Sequence, residues 1–183
     1  MSPVDPMFLA AVAPVTGWAL HGGLLARRLS TARRDPLTGL HTRGGFTARA
    51  ERLIRRSPGA VAVLVDLDDF KQINDHHGHA AGDAVIGATG LRLALWTARY
   101  GIAARLGGDE FAALVTAESR TAGLPALTAA LNRPVLYDGR VLPVSASVGV
   151  CRLVDLALPR LTDALSAADA AMYAAKGHGR RNR

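Results

Sequence analysis

The chain is 183 residues long and carries a single cysteine, Cys151. That excludes an internal disulfide and a cysteine-rich zinc site. Cys151 lies in the apolar run "VSASVGVCRL", where a buried, unreactive thiol is expected. Aromatic residues are scarce at 5%, so a core must be built from Ala, Leu and Val, for which a 49% apolar content is ample. Lysine is almost missing: of 22 basic residues only Lys71 and Lys176 are lysine, and the rest are arginine. A Gly-rich Walker loop and the glycine fingerprint of dinucleotide-binding folds are absent as well. The net charge of +7 leaves nucleic acid, an anionic membrane or phosphate ligands open as partners. The acids are unevenly spread. Seven of fifteen (Asp66, Asp68, Asp69, Asp75, Asp83, Asp109 and Glu110) fall between positions 66 and 110. A basic protein that gathers its acids in one region could be building a metal site; two solvated acidic loops would give the same composition.

Charge is also missing from Pro6 to Ala26, "PMFLAAVAPVTGWALHGGLLA", a length that could span a bilayer. Four arginines (Arg27, Arg28, Arg33, Arg34) follow and would hold the remainder in the cytoplasm, tethered to the inner face of the membrane. Pro14, His21 and three glycines within the run favour instead a helix that packs or dimerises in solution, and both readings stand. "RRDPLTGL" breaks the pattern, and the domain boundary is placed there: residues 1–34 form an apolar N-terminal helix and basic linker, residues 35–183 a domain.

Within that domain "TRGGFTARAERLIRRS" reads as a helix with Phe46, Ala50, Leu53 and Ile54 on one side. "GAVAVLVDLDD" reads as a buried strand that ends in acids. "DFKQIND" is a short helix or turn and "HAAGDAVIGATGLRLALWTAR" a longer helix. "YGIAARLGGDEFAALVT" reads as a β-hairpin with its acids at the tip, and "PVLYDGRVLPVSASVGV" as a second, turned at Asp138-Gly139. An alanine-rich C-terminal helix and a basic tail close the chain. Helices mixed with hairpins argue an α/β architecture with a largely antiparallel sheet.

The acids carry the chemistry. Asp66 stands where a buried strand emerges and Asp109 at a hairpin tip. If the hairpin pairs beside that strand the two carboxylates meet, and they repel unless a cation lies between them. Oxygen ligands of this type suit Mg²⁺, which takes one or two carboxylates together with phosphate oxygens. Gly107 and Gly108 would let a bulky ligand approach the main chain. Lys71, near the mouth of the same strand, and Lys176 are compact point charges suited to phosphate; Lys176 and Arg180 close the last helix, where the helix dipole alone also explains a cation. Asn74 and Asp83 offer an amide and a carboxylate that can read a guanine edge. The histidines do not build a zinc site: His76 and His77 are adjacent, and His79 with Asp83 lacks a third ligand. No reader helix or aromatic platform supports a nucleic-acid partner.

"DPLTGL", "DLDDFKQINDHHGHAAGD", "RLGGDEF", "SVGV" and "AADAAMYAAKGHGR", in this order from Asp35 to Arg180, resemble the GGDEF family of diguanylate cyclases. The resemblance implies the palm-like fold of nucleotidyl cyclases, a mostly antiparallel sheet wrapped by helices. It implies condensation of two GTP into cyclic di-GMP with release of two pyrophosphates, by a homodimer whose two sites face each other. It implies Mg²⁺, or Mn²⁺ in its place, held by Asp66, the carbonyl of Leu67 and Asp109, with help from Glu110. Asp109 would also be the base that activates the 3′-hydroxyl. Asn74 and Asp83 would read guanine, and His79 would contact the substrate. Lys71 would stabilise charge on the phosphates, and Lys176 and Arg180 would hold the terminal phosphates. The chain departs from the family at His41-Thr42, where Asn often precedes the arginine, in a short segment from Ala117 to Leu136, and at a site that bears on regulation. Ala98 and Gly101 stand where many members carry the Arg and Asp of an inhibitory product site, so weak or absent product inhibition of that kind is expected. The alternative to an enzyme is a GTP-binding signalling module that has lost turnover.

Overall fold

A computed structural model describes residues 33–116 and 123–180, with side chains as far as Lys176. The apolar stretch at residues 6–26, the N-terminal helix expected there and the side chain of Arg180 lie outside what is described. Among the described residues no helix is long and apolar enough to cross a membrane.

The chain enters through a pinned loop. The Asp35 carboxylate accepts from the backbone N–H and the hydroxyl of Thr38, at 2.9 and 2.7 Å, and Gly39 takes a left-handed φ of 69°. This is how "DPLTG" makes a tight turn: an Asp closes it through its side chain and a glycine supplies the positive φ. A two-residue strand β1 (His41–Thr42) follows, then helix α1 (Arg43–Arg56), capped by the Thr42 hydroxyl. Next come β2 (Val61–Leu67), α2 (Phe70–His77), α3 (His79–Thr97), β3 (Gly101–Gly107) and β4 (Glu110–Val115). Helix α4 (Leu124–Leu131), a small hairpin of β5 (Val135–Tyr137) and β6 (Arg140–Leu142), β7 (Ala146–Arg152) and α5 (Leu161–Arg180) complete the domain.

The central sheet has five strands in the order β1-β3-β4-β2-β7, antiparallel except where β1 pairs with β3. β2 is buried along Val61–Val65, as its unbroken apolar run requires, because helices cover both faces. Alternation sorts its side chains. Val61, Val63, Val65 and Leu67 pack with Phe111, Ala113 and Val115 in the cluster that contains α3 residues Val85, Ile86 and Leu93. Ala62 and Leu64 pack with Ala112 and Leu114 in the cluster that contains Phe46 and Ala50 of α1 and Ala164, Ala168 and Met172 of α5. The expected α/β architecture with a largely antiparallel sheet is therefore the one observed.

One element differs from expectation. The second hairpin ends at Leu142 and stays apart as a two-stranded ribbon. "SASVGV" leaves it and joins the central sheet beside β2, Ala146 pairing with Leu67 and Val150 with Val63. The apolar alternation of this stretch suits either partner, and only the free edge of β2 decides between them.

Candidate active site

The site is built from the exit of β2 outward. The antiparallel register sets Asp66 directly opposite Glu110 of β4 on one side and Ser147 of β7 on the other. Directly opposed residues point to the same face, and here it is the α1/α5 face, which Ala62, Leu64, Ala112 and Leu114 define. Asp109 lies one residue before the start of β4, and its carbonyl accepts from the Leu67 N–H at 3.3 Å. The hairpin thus does pair beside the early strand. The residue across from Asp66 is Glu110, and Asp109 abuts Leu67 through its backbone.

The "GGDE" tip is a two-residue loop between paired Gly107 and Glu110, with a register shift just before it. Gly108 has φ 49°, and a Cβ built on it would meet no atom within 4 Å. Its glycine is therefore required by backbone conformation, and the space above the tip is open. Arg105 anchors this tip: its Nε donates to the Gly108 carbonyl at 2.9 Å, and its Nη1 lies 3.4 Å from the Asp35 carboxylate. Both side chains of that pair are largely buried, 18% and 16% exposed, so this bond is more than a surface ion pair. Burial pushes the Asp35 carboxyl up, yet the Thr38 bonds and the Arg105 charge outweigh it and hold the group below the ordinary carboxylate value.

The two opposed acids are each neutralised by a side-chain cation. Glu110 lies 3.5 Å from the Arg43 guanidinium at the start of α1, both partners exposed. Asp66 accepts a short hydrogen bond from the Lys176 ammonium, which also lies 3.7 Å from Asp68 Oδ1. Burial lowers the Lys176 pKa, but the bond and charge of Asp66, followed by the charge of Asp68, raise it further, to a net value above the ordinary one. Asp68 is itself fixed, accepting from the Ser145 and Ser147 hydroxyls at 2.8 and 2.7 Å. Lys176 reaches this point because α5 lies hard against β7. A Cβ on Gly149 would sit 1.9 Å from the Ala168 carbonyl oxygen. Lys176 is eight residues beyond Ala168, about 12 Å along the helix axis.

Beyond the strand exit the chain turns through Asp68 and Asp69 into α2, and Asp69 takes a left-handed φ of 53°. Lys71 is exposed in the first turn of α2. The helices α2 and α3 meet at Gly78, and the Asn74 carboxamide Oδ1 lies only 2.1 Å from where a Cβ on Gly82 would stand. Gly82 thus lets α2 press onto α3 beside Asn74, while His79 and Asp83, about one turn apart on α3, are both exposed. Among the described residues no side chain pairs with the Asp109 carboxylate, and no three His, Cys, Asp or Glu side chains gather as a metal cluster.

The donors present nevertheless fit Mg²⁺. Asp66, Glu110 and Asp109 offer only oxygens, and the first two stand directly opposite each other across β2 and β4, each with a side-chain cation beside it. Mg²⁺ asks for one or two carboxylates and completes its shell with waters and substrate oxygens, so a ready-made cage is not needed. Gly101 has its own constraint. A Cβ there would stand 2.2 Å from the Leu114 carbonyl oxygen, so the sheet admits no side chain at that position without a backbone shift.

Sequence reasoning did not single out Arg43, Arg105 or Asp68. Arg105 and Asp68 lie inside quoted motifs, but their roles follow from partners distant in sequence, Asp35 in one case and Ser145, Ser147 and Lys176 in the other.

The profile of the family described as diguanylate cyclase, GGDEF domain, matches residues 32–182. An uncharacterized 19.3 kDa protein from the repSA 5′ region of Streptomyces ambofaciens is 60% identical over 178 residues, 97% of each chain. The probable diguanylate cyclase DgcE of Escherichia coli is 36% identical over 122 residues, 64% of this chain and 11% of its own length. The chain therefore spans nearly all of the first relative and about a tenth of the second. Among solved structures, the GGDEF domain of DgcB from Caulobacter crescentus in complex with c-di-GMP superposes with a TM-score of 0.71 at 28% identity, over 81% of this chain and 89% of that one. By its sequence profile, which covers most of the chain, and its relatives, the chain belongs to the diguanylate cyclase GGDEF-domain family.

Proposed function

We propose that the chain is a diguanylate cyclase, condensing two GTP into cyclic di-GMP and releasing two pyrophosphates. The observation that carries this reading is the β2–β4 register, which opposes Asp66 and Glu110 at a strand exit where Lys176 also arrives. Asp66, the Leu67 carbonyl, Asp109 and Glu110 would hold Mg²⁺, or Mn²⁺ in its place. Bound there, the ion would neutralise phosphate charge and acidify the attacking hydroxyl.

The remaining roles fall to the chain's own groups. Asn74 and Asp83 hold the guanine edge in the corner between α2 and α3, with His79 beside them. Gly107 and Gly108 leave room over the hairpin tip for the sugar and phosphates. Lys71, Lys176 and Arg180 hold phosphate oxygens and counter the charge that grows as pyrophosphate departs, which is the main demand of phosphoryl-type transfer. Asp109 takes the proton of the ribose 3′-hydroxyl, whose oxygen forms the new bond to the α-phosphorus of the opposite nucleotide while the bond to pyrophosphate breaks. General-base help of this kind contributes roughly 10²–10⁴ in rate. One chain holds one nucleotide, so two chains must face each other. The absence of side chains at Ala98 and Gly101 able to act as an Arg and an Asp favours weak feedback by the product.

Incubation with GTP and Mg²⁺ followed by chromatography tests the assignment. Wild-type protein is expected to form cyclic di-GMP, and Asp109→Ala to form none while keeping its far-ultraviolet circular dichroism and melting transition. A folded wild-type protein that binds GTP without product would place the chain among non-catalytic GTP-binding modules; an active Asp109→Ala variant would remove the base from that residue.

A further inference from the structure

Asp68 has no part in the proposed chemistry, yet it is among the most firmly held acids in the molecule. Its Oδ2 accepts from Ser145 and its Oδ1 from Ser147, and its backbone N–H donates to the Ser145 carbonyl at 2.9 Å. Asp68 Oδ1 is also the second neighbour of the Lys176 ammonium, 3.7 Å away, while the first is Asp66. Asp66 lies near the end of β2 and Asp68 is the first residue past it, and their shared contact with Lys176 places both carboxylates on the same side of the strand exit. The ammonium thus stands between an acid fixed by two serines and an acid whose other cross-strand neighbour is Glu110.

We infer that Lys176 is a built-in cation gate for the metal position, and that Asp68 is its holding point. Without nucleotide the ammonium occupies the Asp66 carboxylate and competes there with a divalent cation. When the cation comes with a nucleotide, Asp66 turns to it and the ammonium moves to Asp68 Oδ1. There it stays at the strand exit, within reach of the phosphates, rather than swinging into solvent on its four-carbon stem. The consequence is ordered loading: the site discriminates against a bare divalent ion and accepts one that brings phosphate, because phosphate oxygens give Lys176 a replacement for Asp66. Asp68 acts here as a positioning residue. The inference rests on the reading of Asp66 as a metal ligand.

The test is a titration of the full chain with Mn²⁺ alone, following free ion by electron paramagnetic resonance, and again with a non-hydrolysable GTP analogue present. Removing a positive charge that lies this close to a partly exposed carboxylate is expected to tighten binding of Mn²⁺ alone roughly tenfold in Lys176→Met. With the analogue present the gain is expected to vanish or reverse. Tighter binding with an unchanged melting transition is not the result of a damaged fold, so this pair of readouts separates the gate from a structural role. In Asp68→Asn, KM for GTP is expected to rise several-fold with kcat little changed. Lys176→Met with unchanged or weaker affinity for Mn²⁺ alone would overturn the gate, and an unchanged KM in Asp68→Asn would overturn the holding point. Asp66→Asn distinguishes the two levels: loss of Mn²⁺ binding there with no gain in Lys176→Met overturns the gate alone, whereas Mn²⁺ binding undiminished in Asp66→Asn removes the metal site and the gate together.

Discussion

At the scale of single residues, one buried group and one partly buried group tie stability to pH. His41 is 4% exposed, with Nδ1 3.2 Å from the Arg33 carbonyl and Nε2 3.4 Å from Arg49. Burial first, then the charges of Arg34 and Arg49, hold its imidazole below the ordinary value, against the pull of the Arg33 carbonyl. The unfolded chain therefore gains a proton near pH 6.5, where the folded one does not. Stability is full above that pH and falls as pH drops toward the lowered value. The depressed Asp35 carboxyl adds a second loss: its contribution is present above the ordinary Asp value of about 3.9 and disappears as pH falls through the folded one. Melting temperature followed from pH 8 to 3 is expected to decline in two stages, and His41→Gln to remove the upper one. A wild-type melting temperature that is flat between pH 7 and 5 would show that His41 is not held neutral. Neither group stands out in the sequence, because a histidine beside a threonine and an aspartate before a proline are both ordinary loop composition.

At the scale of elements, the decisive contact is between β7 and α5. The sequence shows both as elements, but Gly149 looks like a flaw in a strand. The helix carbonyl lying over it supplies the reason: only a residue without Cβ lets α5 settle close enough to bring Lys176 to Asp66. Gly149→Ala is expected to cost about 1–3 kcal/mol in denaturant unfolding, the usual penalty for overpacking, and to lower product formation by lifting α5. Gly87→Ala provides the contrast. It too is a glycine inside an element, but a Cβ there meets nothing within 4 Å. It is expected to be neutral or to stabilise by up to about 1 kcal/mol through helix propensity. Equal effects of the two substitutions would show that the close approach at Gly149 is unimportant. The helices, the first hairpin and the buried strand were legible because their periods differ. The destination of "SASVGV" was not, since a half-buried strand does not encode its neighbour.

At the scale of the whole molecule, the proposed reaction makes one domain half of a reaction centre. The acidic strand exit and the lysine of the last helix meet at the end of β2, and α2 follows directly from it; the reaction proposed for them joins two nucleotides held by two chains. Product formation per chain is therefore expected to rise with protein concentration and to follow the dimer fraction measured by analytical ultracentrifugation. Full activity in a preparation shown to be monomeric would contradict the two-chain reaction. The chemical inventory was readable from the one-dimensional chain: which acids, which lysines, an amide near a carboxylate, and the order of motifs, since composition and spacing are local properties. Local patterning also gave the helix and strand types, through periods of 3.6 and 2. Folding alone decided that Glu110 faces Asp66, that Lys176 rests between two acids, and that Arg105 ties the entry loop to the hairpin tip. Those pairings join residues 44, 110 and 70 positions apart, and nothing in the spacing of side chains along a polypeptide specifies which distant neighbours will share a face until strand register and helix docking are fixed.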